Sequence, residues 1–328
     1  MTNFAAYKKR RELLVIGVEA TRGTAPTKRV VLPWLEKSLK TTPTILENES
    51  AIGLDTKVND SHVDVGSSGG SIGGKVNEEM FSYLLNGMFA KVTTVSNGDG
   101  TYTHTFERDS SAQRKSLSIW DVLPFETRLY KSVYLDNLGI SLEVGDSGAY
   151  LQSTASCKGW SHTVAAGFTA PAMDTEVKEF VSRQVTVKLA DDVAGLTPSS
   201  AQIRPRRIDF TMEESVTVDH YIGEQSADGP EFDHAPQEVK ATLVARYRST
   251  DFEDDYFANK VHAMSIAAVN GDEKIEIIGT RVRFREVTAS DGIDETVSLT
   301  ANCYFESDVN NGGKDVTIKV TNRVASFA

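Results

Sequence analysis

No apolar run in the sequence approaches eighteen residues, so none of it reads as a membrane-spanning helix. Cysteine is scarce: Cys157 and Cys303 are too few for a disulfide framework and lack metal-ligand spacing. The six histidines (His62, His104, His162, His220, His234 and His262) are scattered, with no His-Glu-x-x-His and no cysteine neighbour. Asp219-His220 and Asp233-His234 are adjacent pairs, and adjacent residues on a strand point to opposite faces, which argues against a working carboxylate–imidazole couple. Positive charge is short too. Against 46 Asp plus Glu stand 35 Lys plus Arg, a formal charge of −11. A protein that grips nucleic acid concentrates positive charge against phosphates, so this chain either never meets DNA or meets it on terms of repulsion.

Phosphate and calcium loops are missing as well. The run Gly66-Ser67-Ser68-Gly69-Gly70-Ser71-Ile72-Gly73-Gly74-Lys75 lacks the Gly-Lys-Ser/Thr ending of a P-loop, because Val76 follows Lys75, and it reads as a flexible interaction loop. Asn97-Gly98-Asp99-Gly100 lacks the acidic ligand at position twelve of an EF-hand loop. No cofactor, metal or catalytic set is therefore expected. Met1 to Arg11 is basic at KKRR but leads only into the short apolar run Leu13–Val18, so it is expected to be a docking arm rather than a signal peptide, on a chain made in the cytoplasm.

What the sequence does have is short alternating segments between turn residues, the pattern of antiparallel sheet. Leu138–Val144, Gln184–Leu189, Ser215–His220, Glu273–Glu286 and Glu295–Glu306 are the clearest, the last two joined through Asp291-Gly292 as a hairpin. Two short helices are predicted, near Asn77–Phe89 and Thr250–Val261, each with an acidic first turn. Phe81, Leu84, Leu85 and Met88 on the first, and Phe252, Tyr256 and Phe257 on the second, are expected to pack on a sheet. Arg281-x-Arg283-x-Arg285 puts three guanidiniums on one strand face, read as salt-bridged or solvated; Arg204-Pro205-Arg206-Arg207 is a second short basic stretch.

The surroundings of the two helices match in order. Before each lies a strand, Ser71–Val76 or Glu238–Tyr247. After each comes a Ser-Ile strand (Leu117-Ser118-Ile119, Met264-Ser265-Ile266), then a Gly-containing strand (Leu138–Val144, Ile278–Phe284), then a strand ending in cysteine, Thr154–Cys157 or Thr300–Cys303. Glu12–Glu19 resembles Gln184–Asp191 more loosely. This implies duplication. The expected fold is all-β with minor α, in two tandem sandwich or barrel domains of residues 1–165 and 166–328, each with one flanking helix; the boundary falls in Gly159–Glu179. Val92–Gln113, with its Tyr102-Thr103-His104-Thr105-Phe106 strand, is an extra hairpin of the first copy.

Gly17-Val18-Glu19-Ala20-Thr21-Arg22-Gly23-Thr24-Ala25, then Val31-Leu32-Pro33-Trp34, the Tyr102–Phe106 strand, Leu117-Ser118-Ile119-Trp120 and Leu138–Leu142 together resemble siphophage major tail tube proteins over the first half of the chain. The resemblance implies subunits that form rings through their sheets, stacking into a tube whose lumen conducts the genome, usually with sixfold symmetry. Two tube domains per chain then imply a trimeric, pseudo-sixfold ring, located in the virion tail and assembled in the host cytoplasm. Implied partners are the chain itself, tape-measure, terminator and baseplate tail proteins, and double-stranded DNA as a non-specific passenger past an acidic wall; no membrane is involved. By position, the inter-ring and inter-subunit contacts fall on the loops Glu47–Gly74 and Glu224–Gln237, the N-terminal arm and the segment Lys314–Ala328, with Glu47, Asp55, Asp64, Gly69, Gly70, Glu224, Asp228, Asp233, Lys314 and Asp315 as candidates. The alternatives are a virion β-sandwich adhesin, which would expose an aromatic platform although Trp34, Trp120 and Trp160 sit in or beside strands, and a related terminator or baseplate ring.

Overall fold

The computed structural model of the chain describes residues 7–109, 111–145, 147–197, 202–221, 229–290 and 296–327. Among these residues the protein is all-β with two α-helices, as the alternating pattern predicts. The first half contributes β1 (Leu13–Val18), β2 (Val30–Leu32), β3 (Glu36–Lys37), β4 (Lys40–Asn48), β5 (Asp60–Lys75), α1 (Glu78–Met88), β6 (Lys91–Ser96), β7 (Tyr102–Glu107), β8 (Leu117–Val122), β9 (Thr127–Glu143), β10 (Gln152–Trp160) and β11 (Thr163–Val164). The second contributes β12 (Val185–Ala190), β13 (Gln202–Ile203), β14 (Pro205–Glu213), β15 (Val216–Asp219), β16 (Glu231–His234), β17 (Glu238–Arg246), α2 (Asp251–Phe257), β18 (His262–Asn270), β19 (Glu273–Ala289), β20 (Ser298–Phe305) and β21 (Thr317–Asn322). The Asp291-Gly292 turn lies outside the described residues, but the strands it was expected to join, β19 and β20, do pair.

All ladders are antiparallel. One broad sheet runs β4-β5-β10-β9-β14-β17-β20-β19. Two smaller sheets flank it: β2-β1-β8-β9-β11, and β13-β12-β18-β19-β21-β7-β6. The two longest strands, β9 and β19, belong to both a flanking sheet and the broad one, and each changes sheet through two bulges. On β9 the extra residues fall between Tyr130 and Val133, opposite β8, and at Asp136, opposite Ser156 and Cys157. On β19 they fall between Gly279 and Val282, opposite β18, and at Arg285, opposite Asn302 and Cys303. Bulges increase the local twist and bend a strand, which lets one strand leave a sheet and enter another.

The strands expected to match do occupy matching places, but the glycine is not the register marker. Gly139 pairs with Thr154 in the broad sheet, whereas Gly279 pairs with Met264 in a flanking sheet. A strand glycine records a close approach rather than a position. At Gly279 an added Cβ would lie 2.3 Å from the Phe305 ring, while at Gly139 the nearest atom is an ordinary 3.4 Å away. The cysteines, by contrast, sit at matching places, each beside the second bulge and each buried.

The core lies between the broad sheet and the flanking layers, and one buried cluster draws on both halves, from Leu14 and Phe81 to Phe284 and Ile318. Helix α1 starts at Asn77, whose side chain accepts a hydrogen bond from Met80 N at 2.7 Å. It buries Phe81, Leu84, Leu85 and Met88 against β1, β9 and β21, roughly 2 kcal/mol apiece for side chains of this size. Helix α2 has only seven residues and packs on β19. Phe252 meets Phe284 edge-on at 5.3 Å, and Tyr256, one turn later, is also partly buried against the core. Phe257 was expected beside them but is 82% exposed, because the next residue along a helix turns about 100° away from the packed face.

The segment 314–327 is not a free arm. Strand β21 is paired on both edges, with β19 and with β7 of the first-half hairpin, and Phe327 packs on His104 at 4.6 Å and Tyr83 at 5.2 Å.

Candidate functional site

Alternation gives the broad sheet two faces of opposite character. Leu138, Ile140, Leu142, Ile208, Phe210, Met212, Val239, Ala241 and Leu243 point into the core. The other face is polar. One row across the sheet reads Lys75, Gln152, Ser141, Asp209, Thr242, Asn302 and Glu286. Thr242 Oγ1 donates to Asn302 Oδ1 and Asn302 Nδ2 to Glu286 Oε2, both at 2.8 Å. Charges on this face neutralise one another locally: Arg207 Nε meets Asp209 at 2.6 Å, and Lys240 reaches Glu238 at 2.7 Å and Glu213 at 3.4 Å. The three arginines expected on one strand face, Arg281, Arg283 and Arg285, all bind Glu306, at 3.1, 3.0 and 3.4 Å. The chain's acidic excess is therefore not gathered on this face, which is a mesh of paired charges and hydroxyls.

The two four-stranded halves of the sheet meet at a seam between β9 and β14. Leu138, Ile140 and Leu142 stand opposite Met212, Phe210 and Ile208, and Glu143 stands opposite Arg207. The outer edges differ from the seam. Past Val282, β19 is bonded only to β20, and the far edge of β4 has no strand against it among the described residues.

Gly69 and Gly70, expected in a flexible loop, lie instead within β5, opposite Lys158 and Cys157 of β10. A Cβ on Gly66, Gly70 or Gly74 would come within 2.2 Å of Thr42 O, 2.6 Å of Ser38 O or 2.8 Å of Pro33 O. The glycines thus admit the backbone of residues 33–43 against the strand, so the run is a paired, closely packed strand rather than a loop.

Beyond this point β4 and β5 pair only with each other and project as a long hairpin. It carries Glu47 and Asp64 on its strands and Asp55 in its turn, together with the exposed apolar residues Ile45, Leu46, Ile52, Leu54, Val58 and Val63. The same end of the broad sheet holds the hairpin β15–β16. Asp233 lies there beside Asp219, whose carboxyl is held above the usual range by its hydrogen bond to Asp233 and then by partial desolvation. Glu224 and Asp228 lie outside the described residues. At the opposite end Arg204, Arg206, Arg246 and Arg248 line a recess together with Phe252 and Leu299.

Lys314 and Asp315 are engaged within the chain. Lys314 Nζ meets Glu107 at 2.7 Å, and Asp315, 4% exposed, accepts from Arg108 Nη1 at 3.2 Å and from Val316 N at 2.8 Å. The candidate contact residues thus separate into the hairpin group, the β5 glycines, Asp233 and this internal pair.

Three features escaped the sequence reading. Strand β14 was passed over behind its arginines, although Ile208, Phe210 and Met212 alternate plainly. Glu19, 2% exposed, accepts from Gly23 N at 2.7 Å, Ser116 Oγ and Ser118 Oγ at 2.6 Å, and Ser132 N at 3.1 Å. Trp160 lies under the Arg22 guanidinium at 5.5 Å and donates to Pro230 O at 3.2 Å, tying the hairpin β15–β16 to the first half. Both thiols are poor nucleophile candidates, since burial pushes Cys157 up to about 12 and Cys303 up as well.

No curated protein matches the chain. A family model described as phage tail tube protein matches residues 9–321, nearly its whole length. The chain is therefore a member of the phage tail tube protein family.

Proposed function

We propose that the protein is a structural, non-enzymatic subunit that closes into rings of three chains, and that the rings stack into the tail tube through which the genome leaves the virion. The observation that carries this reading is the broad sheet itself, two four-stranded halves joined edge to edge with an open edge on either side. Exposed sheet edges invite pairing with another chain, and a head-to-tail contact of this kind yields a closed ring when its rotation closes. The matched bulges, cysteines and strand pairings support a duplicated domain, so three chains supply six similar units around the ring.

In this ring the polar face of the broad sheet lines the lumen. Its paired charges and hydroxyls offer few unpaired cations to neutralise phosphates, so duplex DNA passes without being held. The projecting β4–β5 hairpin and the arginine-rimmed recess lie at opposite ends of the sheet. The hairpin is acidic and apolar, the recess basic and apolar, and this suits head-to-tail stacking of successive rings. The partners are then other copies of the chain, with tape-measure, terminator and baseplate proteins at the tube's length control and ends, all assembling in the host cytoplasm.

Negative-stain electron microscopy of the purified protein at rising concentration tests this. The expected result is hollow rings with threefold symmetry and six similar lobes, lengthening into tubes. Rings that never stack would assign the chain to a terminator or baseplate role, and monomers at every concentration would overturn the assembly reading altogether.

A further inference from the structure

Inside the chain the two halves of the broad sheet join along one seam of defined register, between β9 and β14. Cys157 and Cys303 stand beside equivalent bulges, so Leu135, Asn137, Leu138, Gly139 and Ile140 of β9 occupy the same places as Phe284, Glu286, Val287, Thr288 and Ala289 of β19. On the other side of the seam, β14 pairs with β17 and β4 with β5, each of which precedes the helix of its half and pairs with the cysteine-bearing strand β20 or β10. Gly70 and Gly69 take the places of Ala241 and Lys240, judged by their partners Cys157 and Lys158 on β10 and Cys303 and Tyr304 on β20, and the next residue along, Ser68, takes the place of Val239. Lys40 and Thr41, opposite Gly69 and Ser68, therefore correspond to Thr211 and Met212.

Within the chain Gly139 stands opposite Thr211 and Leu138 opposite Met212. We infer that β19 of one subunit pairs antiparallel with β4 of a second copy of this chain, Thr288 opposite Lys40, Val287 opposite Thr41 and Glu286 opposite Thr42. This rests on the ring proposed above and fixes its register.

The side chains agree with this register. Leu39 is buried and Thr41 half-buried, while Ser38, Lys40 and Thr42 are exposed; on the other strand Val287 is half-buried while Glu286 and Thr288 are exposed. Pairing these residues keeps the core side facing the core side across the seam, whereas a slip of one residue would turn every side chain to the wrong face. Lys40 also lies diagonally across from Glu286, within reach of a favourable cross-strand charge pair. The internal seam's last bond, from Glu214 N to Asp136 O at 2.8 Å, has no counterpart, because Pro43 stands where Glu214 does and has no N–H to donate. The intermolecular ladder thus ends at Thr42, and Pro43 leaves no donor stranded beyond it.

Directly opposite residues lie about 4.5–5.5 Å apart at Cα, within disulfide range, and diagonal ones about 7–8 Å apart, beyond it. The test is the double variant Lys40→Cys/Thr288→Cys, assembled and then mildly oxidised; the native cysteines are buried and do not compete. The expected result is covalent trimers on a non-reducing gel, with loss of that band when Ser38→Cys or Thr42→Cys replaces Lys40→Cys. Rings whose cross-links are strongest with Ser38→Cys or Thr42→Cys would overturn the register while leaving the ring intact. Absence of rings in the unmodified protein would overturn the ring itself. If the cysteine variants do not assemble, hydrogen exchange on the unmodified protein decides: the amides of Thr41 and Val287, the counterparts of Met212 and Leu138, are the ones aimed across the proposed seam and should become protected on ring formation, and unchanged exchange there overturns the register.

Discussion

Glu19 shows how one side chain can hold a loop, a strand end and a bulge together. An ionised carboxylate only accepts hydrogen bonds, and its two oxygens take four donors here, two of them backbone amides. One of those amides belongs to Ser132, at φ 49° inside the β9 bulge, so Glu19 secures the point where β9 changes sheet. Glu19→Ala is expected to strand these buried donors and destabilise the fold by about 3 kcal/mol, read from the urea midpoint at unchanged slope. A loss below about 0.5 kcal/mol, the size of an ordinary surface change, would show that the hub is dispensable. The sequence showed this residue only as part of a motif. Nothing about a glutamate at the end of an apolar strand predicts burial, because three of its four donors, on Ser116, Ser118 and Ser132, come from the distant strands β8 and β9 and their approaches. Gly23, a few residues on, is clearer in retrospect: its φ is 77°, and a Cβ there would lie 2.6 Å from the Trp160 ring.

At the scale of elements, legibility followed side-chain alternation. Strands with one face in the core announced themselves in β12, β19 and β20, though not in β14, and α1 did so through its apolar stripe. The tract 60–70 did not, since its strand conformation is specified by its pairing with β4 and β10 and by close backbone approach at its glycines, neither of which leaves an apolar period. Its distal part pairs only with β4, and exposed residues such as Leu54, at 67%, are hard to explain by folding alone. Replacing residues 44–64 by a tight Asn-Gly turn removes this hairpin while leaving the pairing of residues 40–42 with 67–69 in place. Such a variant is expected to keep its melting temperature and its rings but to form no tubes in negative stain; tubes of normal length would remove the hairpin from stacking.

For the molecule as a whole, the two halves are similar in plan and interlocked. The first-half hairpin β6–β7 extends a second-half sheet through β21, and Asn322 bonds His104 Nε2 at 3.0 Å and Ser82 Oγ at 2.9 Å across that junction. Residues 1–165 expressed alone would expose the β9 and β7 edges and uncover His104 and Phe106, so this piece is expected to aggregate or remain unfolded. A cooperative melt and dispersed amide spectrum from it would show the halves to be independent. The matching order of strands in the two halves was legible in the sequence. The interlock was not, because it joins segments with no counterpart in the other half.

In the proposed ring, every second seam is spanned by a continuous polypeptide, while the alternate ones rest on a short ladder that stops at a proline. Seen as a material, the wall would be anisotropic around its circumference, with three stiff longitudinal joints and three softer ones. Bending or internal pressure would open it along the softer lines first, and a failing tube would split lengthwise into strips one subunit wide.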